Sequence, residues 1–323
     1  MAEDKLIVDF WDVGQGDCSV ITLPDKSLII IDVGPRTTPL VDWLNERPRQ
    51  IRSLVITHND EDHAGGLPSL VKVGGLSIGA VYMLSDRNKD SAQFQKIFQA
   101  VRVEEKKGRF HVTRLDQDRQ IWENADKTIE LKAIYPGYSE NIEAKKPNES
   151  SAILCLRQKD KTGIIWSGDA PMQVVAEKCD GMTPQMLMGP HHGGPVDRKK
   201  KGFKGWVAAV QPERLFVSVG TKNPHGLPAP EYLTQRAGQG CQVMCSQITK
   251  FCDNEHVNNE KPVLQTAIFL GLRPPRSGVP CRGCFRLTVT KDEIMSDSFD
   301  LAHQEKVKKM KRPKCIQKNA RLA

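Results

Sequence analysis

The sequence predicts an α/β fold in which two sheets are flanked by helices. Two observations carry that prediction. Short β-branched segments followed by a helical segment occur twice along the 323 residues, an order that packs sheets between helices. Residues able to bind metal also close several successive apolar segments, which places them along one edge of the sheets. The sequence shows no internal repeat.

Lys5 to Trp11, Cys18 to Leu23 and Leu28 to Asp32 are β-branched runs separated by Gly14-Gln15-Gly16 and Pro24-Asp25, and read as an antiparallel meander. A helix follows over Pro39 to Asn45, with Leu40, Val41 and Leu44 on one side. Ile51 to Thr57 is a strand, Gly66 to Val73 a short helix and Ile78 to Leu84 a further strand. Phe94, Ile97, Phe98 and Val101 recur at helical spacing within Ala92 to Val103. Ile129 to Tyr135 reads as a strand, and Pro136 to Pro147 as a polar loop. Ser151 to Leu156 and Gly163 to Trp166 are strands joined by a charged turn, and Ala170 to Cys179 is a helix. Met186 to Met188 and Arg214 to Val219 close the strand set, and Pro230 to Ala237 is a last helix.

The strand Ile51 to Thr57 runs into His58-Asn59-Asp60-Glu61-Asp62-His63, which carries four potential metal ligands. Imidazole nitrogen and carboxylate oxygen bind divalent transition ions. On an extended segment His58 and Asp60 share one face, while Asp62 and His63 turn toward a second point, at the roughly 3.5 to 4 Å spacing of two-metal hydrolases. Three later places extend the set. Asp169 ends a strand in Ser167-Gly168-Asp169-Ala170, where Gly168 permits close backbone approach and Asp169 is placed to bridge two ions. His191-His192-Gly193-Gly194 follows the next strand, and His225 in Asn223-Pro224-His225-Gly226 the one after.

Length fits one large α/β domain with an appendage. The 39% hydrophobic content supports a core, and no apolar run approaches the ~20 residues of a spanning helix. The start, Met1-Ala2-Glu3-Asp4-Lys5, is acidic and lacks the basic and apolar regions of a signal peptide, which predicts a cytoplasmic protein without membrane association. A net charge of +8 favours a polyanionic partner. Part of that excess lies in Arg198-Lys199-Lys200-Lys201 and Lys204, and part in a tail of Lys306, Lys308, Lys309, Lys311, Arg312, Lys314, Lys318 and Arg321.

Nine cysteines without an export signal predict thiols or metal ligands rather than disulfides. Cys18 and Cys155 sit in apolar strands and read as buried thiols. Cys241, Cys245, Cys252, Cys281, Cys284 and Cys315 concentrate late, whereas Cys179 does not, which predicts a main domain over 1–250 and a separate Cys-rich region over 251–323, with a basic tail. Cys281-Arg282-Gly283-Cys284 has the form of a zinc knuckle, and a structural zinc competes there with free thiols. Its second ligand pair stays open among Cys241 with Cys245, Cys245 with Cys252, and His303 with Cys315.

Asp12-Val13-Gly14-Gln15-Gly16-Asp17, Ile31-Asp32-Val33-Gly34, the His58 to His63 loop, Gly168-Asp169-Ala170 and His191-His192-Gly193 occur in that order. Together they resemble the metallo-β-lactamase superfamily, and within it the hydrolase domain of the ComEC competence-protein family, over about residues 5 to 250. The resemblance implies a four-layer αββα sandwich, to which the cysteine distribution adds a Cys-rich C-terminal appendage, and a centre of two divalent ions, zinc or manganese. It further implies that His58 and Asp60 hold one ion, Asp62 and His63 the other, with Asp169 between them. His191 or His192, and His225, would complete the shells.

Asp32 is expected to brace the ligand loop rather than bind metal. Asn148, in Asn148-Glu149-Ser150-Ser151, stands where many members of the superfamily keep a histidine and the ComEC type is similar in having asparagine. With Asp60 in place of a second histidine, this makes one site rich in oxygen and shifts preference from zinc toward manganese. Gly194 replaces the serine usual in ComEC-like sequences, His225 lies in Pro-His-Gly rather than His-Pro, and the membrane channel of ComEC has no counterpart here.

The implied chemistry is hydrolysis by an ion-bound hydroxide, with Asp62 orienting it or accepting its proton and His192 or His225 protonating the leaving group. The leading expectation is a nuclease or other phosphodiesterase acting on DNA or RNA, with a protein partner in a defence or DNA-processing system. The alternatives are hydrolysis of a small phosphodiester or ester, and a nucleic-acid or protein-binding component with a vestigial site. Retention of Asp62, His63 and Asp169 argues against the last.

Overall fold

In the computed structural model the chain forms two β-sheets packed face to face with helices on both outer surfaces. The structure describes residues 5–47, 49–84, 92–194, 204–250, 252, 255, 257, 270, 278–297, 300–310 and 313–315. The basic run Arg198 to Lys201 lies outside them, as do Lys311, Arg312, Lys318 and Arg321 of the tail.

The first sheet starts with the expected meander, β1 (Leu6–Phe10), β2 (Cys18–Thr22) and β3 (Leu28–Val33), paired antiparallel. It then turns parallel through β4 (Gln50–Val55), β5 (Ser77–Met83) and β6 (His111–Arg114). Leu28-Ile29-Ile30-Ile31 is apolar throughout because β3 is covered on both faces. Ile29 and Ile31 point into the space between the sheets, whereas Leu28, Ile30 and Val33 point under the outer helices. Those helices are α1 (Pro39–Glu46), α2 (Glu61–Ala64), α3 (Leu67–Leu70) and α4 (Ala92–Lys106). Thr38 caps α1 by accepting the Leu40 N–H at 3.4 Å, and Pro39 stands at its first turn, where a missing N–H costs nothing. Burial of Leu40, Trp43 and Leu44 then fixes the helix on the sheet, at about 1.5 to 3 kcal/mol for each large apolar side chain.

The second sheet runs in space from β7 (Gln120–Glu123) through β8 (Ile129–Tyr135), β9 (Ile153–Gln158), β10 (Lys161–Trp166), β11 (Met186–Met188) and β12 (Arg214–Val217) to β13 (Gln242–Cys245). Strands β10 to β13 are mutually parallel, so their carboxyl ends share one edge. Leu154 and Leu156 of β9 face the first sheet, and Ile153 and Cys155 face outward, the period of two expected of a strand buried on both sides. Helices α6 (Met172–Lys178), α7 (Lys204–Ala209) and α8 (Pro230–Gly238) cover that outer face. Between the sheets Phe10 lies 5.8 Å from Phe216 and 6.0 Å from Phe285, and the Trp166 indole N–H donates to Ser19 Oγ at 3.0 Å. The four layers agree with the αββα expectation.

The sequence reading marks no element at β6, β7, β13 or α7, and two further regions differ from it. The segment expected as a polar loop contains α5 (Tyr138–Glu143) and a 3₁₀ turn (Pro147–Ser150). Tyr138 and Ile142 of α5 are exposed, so the helix has little apolar stripe to read, and the Glu140 carboxylate accepting the Gly137 N–H starts it instead. The C-terminal stretch expected as an appendage supplies β14 (Phe285–Val289), antiparallel to β1, and β15 (Ile294–Ser296) at the edge of the first sheet. A division at residue 250 therefore cuts across that sheet. A last helix, α9 (Asp300–Lys308), follows.

Candidate metal centre

The loops at the carboxyl ends of β4, β10, β11 and β12 meet the β1–β2 loop at one edge of the sandwich. After β4 the chain passes Ile56 and Thr57, presents His58, and starts α2 with Asp60 in extended conformation ahead of it. His58 and His63 are fully buried and their rings lie 4.1 Å apart. After β10, Gly168 adopts φ +46°, and an added Cβ there would meet Ser151 Oγ and Thr57 Oγ1. Only glycine can therefore turn the chain so that Asp169 points back over His58 and His63. After β11, His191 and His192 both take left-handed conformations, at φ 47° and 52°. Such conformations cost of order 1 to 2 kcal/mol per residue, a strain held by the fold at the point where both rings must reach the same loop.

Asp169 organises the cluster through its two oxygens. Its Oδ1 lies 3.1 Å from His63 Nε2 and 3.4 Å from His192 Nε2. Its Oδ2 lies 3.6 Å from His58 Nε2 and 3.7 Å from His191 Nε2, and accepts a hydrogen bond from Asn148 Nδ2 at 3.0 Å. Asp60 Oδ2 stands on the Oδ2 side, 3.7 Å from His58 Nε2, and Asp62 Oδ2 on the Oδ1 side, 3.2 Å from His192 Nε2. Ligand atoms of His58, His63 and Asp169, and those of Asp62, His63 and His192, each lie within 4.8 Å of one another.

These side chains fit divalent ions by their hydrogen bonding as well as their spacing. His63 Nδ1 is 2.8 Å from the Asp32 carboxylate and His192 Nδ1 is 2.7 Å from the Ser218 carbonyl. Both Nδ1 atoms must donate, which leaves the Nε2 lone pairs facing one another at 3.4 Å. Two lone pairs in contact repel unless a cation or proton sits between them. His58 Nε2 and Asp169 Oδ1 are buried polar atoms with no hydrogen-bond partner among the described residues.

The electrostatics carry the same demand for positive charge. Burial opposes a proton on His63, but the Asp169 and Asp32 charges overcome it and hold the imidazole well above its usual range. His192 is pushed up to about 9, with burial again opposed by Asp169 and Asp62. His58, with burial and the His63 charge against it, falls to about 3. Burial also raises the Asp169 and Asp62 carboxyls, yet the histidines outweigh it and hold both below the usual carboxylate range. Protons and divalent ions compete for the same lone pairs.

Of the residues singled out in the sequence, the structure brings together His58, Asp60, Asp62, His63, Asn148, Asp169, His191 and His192. Asp32 accepts hydrogen bonds from Thr57 N–H at 2.8 Å, from Thr57 Oγ1 at 2.7 Å and from His63 Nδ1. His225 is exposed on the turn after β12 and is not among the gathered ligand atoms. Its turn nonetheless borders the site, since Gly220 N–H donates to Gln15 Oε1 at 3.2 Å beside Gly16. Gly16, at φ +133°, has no room for a Cβ against the Asp62 carbonyl, the group that accepts the Asp17 N–H.

Asp17 belongs to the centre although the sequence did not mark it as a site residue. Its carboxylate gathers with Asp32 and His63, lies 3.6 Å from His192 Nδ1, and is raised to about 6 by burial. The signal available was its place at the end of the Gly14-Gln15-Gly16 turn. Ser151, whose Oγ accepts the Asp169 N–H at 3.0 Å, and Ser218, whose carbonyl orients His192, carried no signal at all.

Residues 11–139 match the family model of the metallo-β-lactamase superfamily. No curated protein matches the sequence. Similar solved structures include a metallo hydrolase of the hyperthermophilic archaeon Ignicoccus hospitalis, at 17% identity over 73% of this chain and 94% of that one, with a TM-score of 0.45. The human tRNase Z short form is 12% identical over 68% and 93%, at 0.41. A variant of CmlA β-hydroxylase is 14% identical over 74% and 52%, at 0.44. Likenesses at this level assign no activity to the chain. The family match and the two-sheet fold support the metallo-β-lactamase superfamily, whose members are mostly metal-dependent hydrolases. No helix among the described residues is long and apolar enough to cross a membrane.

Proposed function

We propose that the chain is a metal-dependent phosphodiesterase acting on DNA or RNA through two divalent ions. The observation that carries this reading is Asp169, whose two carboxylate oxygens address two separate groups of ligands. His58 and Asp60, with Asn148 beside them, form one half, and Asp62, His63 and His192 form the other. Bound ions would supply a water-derived nucleophile at neutral pH and shield charge on the phosphoryl oxygens.

The chain's own groups do the rest. Asp32 holds the His63 proton on Nδ1 and the Ser218 carbonyl does the same for His192, so both Nε2 atoms stay available. Asp62 is ionised and accepts hydrogen bonds at the mouth of the cluster, where it orients the attacking oxygen or takes its proton. His225, exposed at the rim, is the residue we assign to protonating the leaving oxygen. The half beside Asp60 and Asn148 is the richer in oxygen donors, which favours manganese there over zinc and keeps the likeness to ComEC-type domains.

A polyanionic substrate is supported by charge on the loops around the centre. Arg36 beside α2, Lys145 and Lys146 ahead of Asn148, and Lys222 beside His225 are all exposed. Single-stranded DNA, duplex DNA, RNA and bis-nitrophenyl phosphate, each offered with manganese and with zinc, test the reading. Cleavage of a nucleic acid is expected, lost to the buffer rate in Asp62→Ala and His63→Ala with circular dichroism unchanged. Activity confined to the small diester would replace nucleic acid with a small-molecule substrate, and full turnover in metal-replete Asp62→Ala would remove the mechanism.

A further inference from the structure

Among the described residues no three cysteine sulfur atoms gather within 4.8 Å, so the knuckle read at Cys281 and Cys284 forms no tetrahedral zinc site as placed. A different feature stands out on the connection from β8 to β9, which leads to Asn148. Helix α5 opens that connection with apolar side chains facing solvent and a polar one buried. Tyr138 is 61% exposed and Ile142 49% exposed, and at a separation of four residues they share one face of the helix. Asn141 is 6% exposed, and neither atom of its amide has a hydrogen-bond partner among the described residues. A helix with this pattern lacks part of what it should pack against.

Arg114, the last residue of edge strand β6, holds the Tyr138 ring from one side. Its guanidinium carbon lies 4.1 Å from the ring centroid. Asp116 does not draw it away, since its Oδ2 is 3.8 Å from Arg114 Nε and its Oδ1 is bonded to Arg119. Arg114 Nε and Nη2 accordingly have no hydrogen-bond partner among the described residues. The cation fixes the ring by one face and leaves the other to a partner.

The path from this ring to the metal centre is positive. Exposed Lys145 and Lys146 follow α5, and their backbone N–H groups donate to Glu149 Oε2 at 2.8 and 3.3 Å, which fixes the turn before Asn148. Asn148 in turn donates to Asp169 Oδ2 at 3.0 Å. Glu140 is engaged by the Gly137 N–H and by Lys178, and helical spacing puts Glu140 and Glu143 on the face opposite Tyr138 and Ile142.

We propose that α5 presents Tyr138 as a base-stacking platform for a single-stranded nucleic acid, whose phosphates pass Lys145 and Lys146 on the way to the metal centre. The inference rests on the nucleic-acid reading above and narrows it to single strands. An aromatic ring among cations matches a strand that offers base faces and phosphates together. Bases of a duplex are stacked on one another and leave the ring only the phosphates to pass. The helix rises ~1.5 Å per residue and the chain after it extends at most ~3.5 Å per residue, so Tyr138 lies no more than about 25 Å from Asn148. About seven nucleotides at ~3.4 Å each span that distance.

Fluorescence anisotropy of labelled strands on the full chain, with a chelator present so that nothing is cleaved, tests the platform. The probes are oligothymidylate, an abasic strand of the same length, and duplex DNA. The wild type should bind oligothymidylate more tightly than the abasic strand. Tyr138→Ala should weaken oligothymidylate binding about 5- to 150-fold, the loss of one base stack, and Tyr138→Trp should retain it. Affinities for the abasic strand and the duplex should be the same in all three proteins. Failure of the wild type to bind any of the strands ends both this inference and the nucleic-acid reading. Equal affinity of the wild type for oligothymidylate and the abasic strand, or wild-type affinity in a folded Tyr138→Ala, overturns the platform and leaves the wider reading standing. A dimer by light scattering that becomes monomeric in Tyr138→Ala gives the face to a second copy of the chain and overturns the platform as well.

Discussion

Substituting Asp32 by asparagine isolates the part of the centre that acts through a proton position alone. Asp32 accepts three hydrogen bonds, from Thr57 N–H, Thr57 Oγ1 and His63 Nδ1. Its backbone sits at φ 55°, a region asparagine tolerates as well as aspartate does, so backbone strain cancels in Asp32→Asn. The new side chain keeps one oxygen for the Thr57 N–H. Its amide nitrogen meets the Thr57 hydroxyl, which can rotate to accept, and the His63 Nδ1–H, which cannot. His63 is driven to the other tautomer, with its proton on Nε2, the atom 3.1 Å from Asp169 Oδ1 and needed for an ion. Partners of this kind contribute about 10- to 100-fold in metal affinity or activity, or about 1.4 to 2.7 kcal/mol at 1.36 kcal/mol per tenfold. Chelator competition with manganese and with zinc reads the affinity, and turnover of bis-nitrophenyl phosphate reads the rate. Asp32→Ala should cost more, because three buried donors lose their acceptor at roughly 1 to 3 kcal/mol each. Wild-type metal affinity in Asp32→Asn would refute the assignment of Asp32 as the group that fixes His63.

Gly168→Ala is expected to lower stability by about 1 to 3 kcal/mol and to weaken metal binding together, since its Cβ would push on Ser151 Oγ and Thr57 Oγ1, both of which hold the ligand loops. Urea denaturation and chelator competition check the pair of effects, and stability lost with metal affinity intact would place the strain elsewhere. Removing metal with a chelator should lower the melting midpoint by several degrees, because an ion at 100 times its Kd adds about 2.7 kcal/mol. An unchanged midpoint would mean that the cluster holds no ion under those conditions. Lys145→Glu/Lys146→Glu should reduce the slope of log affinity against log salt by about 1 to 2 on duplex DNA, while leaving kcat on bis-nitrophenyl phosphate unaltered. Equal losses on both substrates would contradict a role confined to the phosphate backbone.

What the sequence disclosed follows the range over which each signal acts. The His58 to His63 loop is legible because its ligands are local: a strand end and a tight helix start fix their relative directions within six residues. Asp169, His191 and His192 are legible one step further out, because β10 and β11 are parallel neighbours and their carboxyl ends fall side by side. The apolar runs likewise announce the double burial of β3 and β9, although the edge strands β6, β7 and β15, each of four residues or fewer, leave too short a pattern.

Asp17 and Ser151 could not be read in this way, since their neighbours at the centre come from chain positions far from their own. Ser218 was hidden for a different reason, as it contributes a carbonyl that any residue carries. The cysteines illustrate the reverse error. Cys281 and Cys284 share the spacing of a knuckle, but Phe285 opens a strand paired with β1, and that pairing turns Cys284 to the first sheet while Cys281 stays with β13. Spacing bounds where two side chains can reach, and the sheet to which each is committed decides whether they meet. The same rule separates His192, locked by a carbonyl at the end of β12, from His225, which lies a few residues further along the same connection and remains exposed.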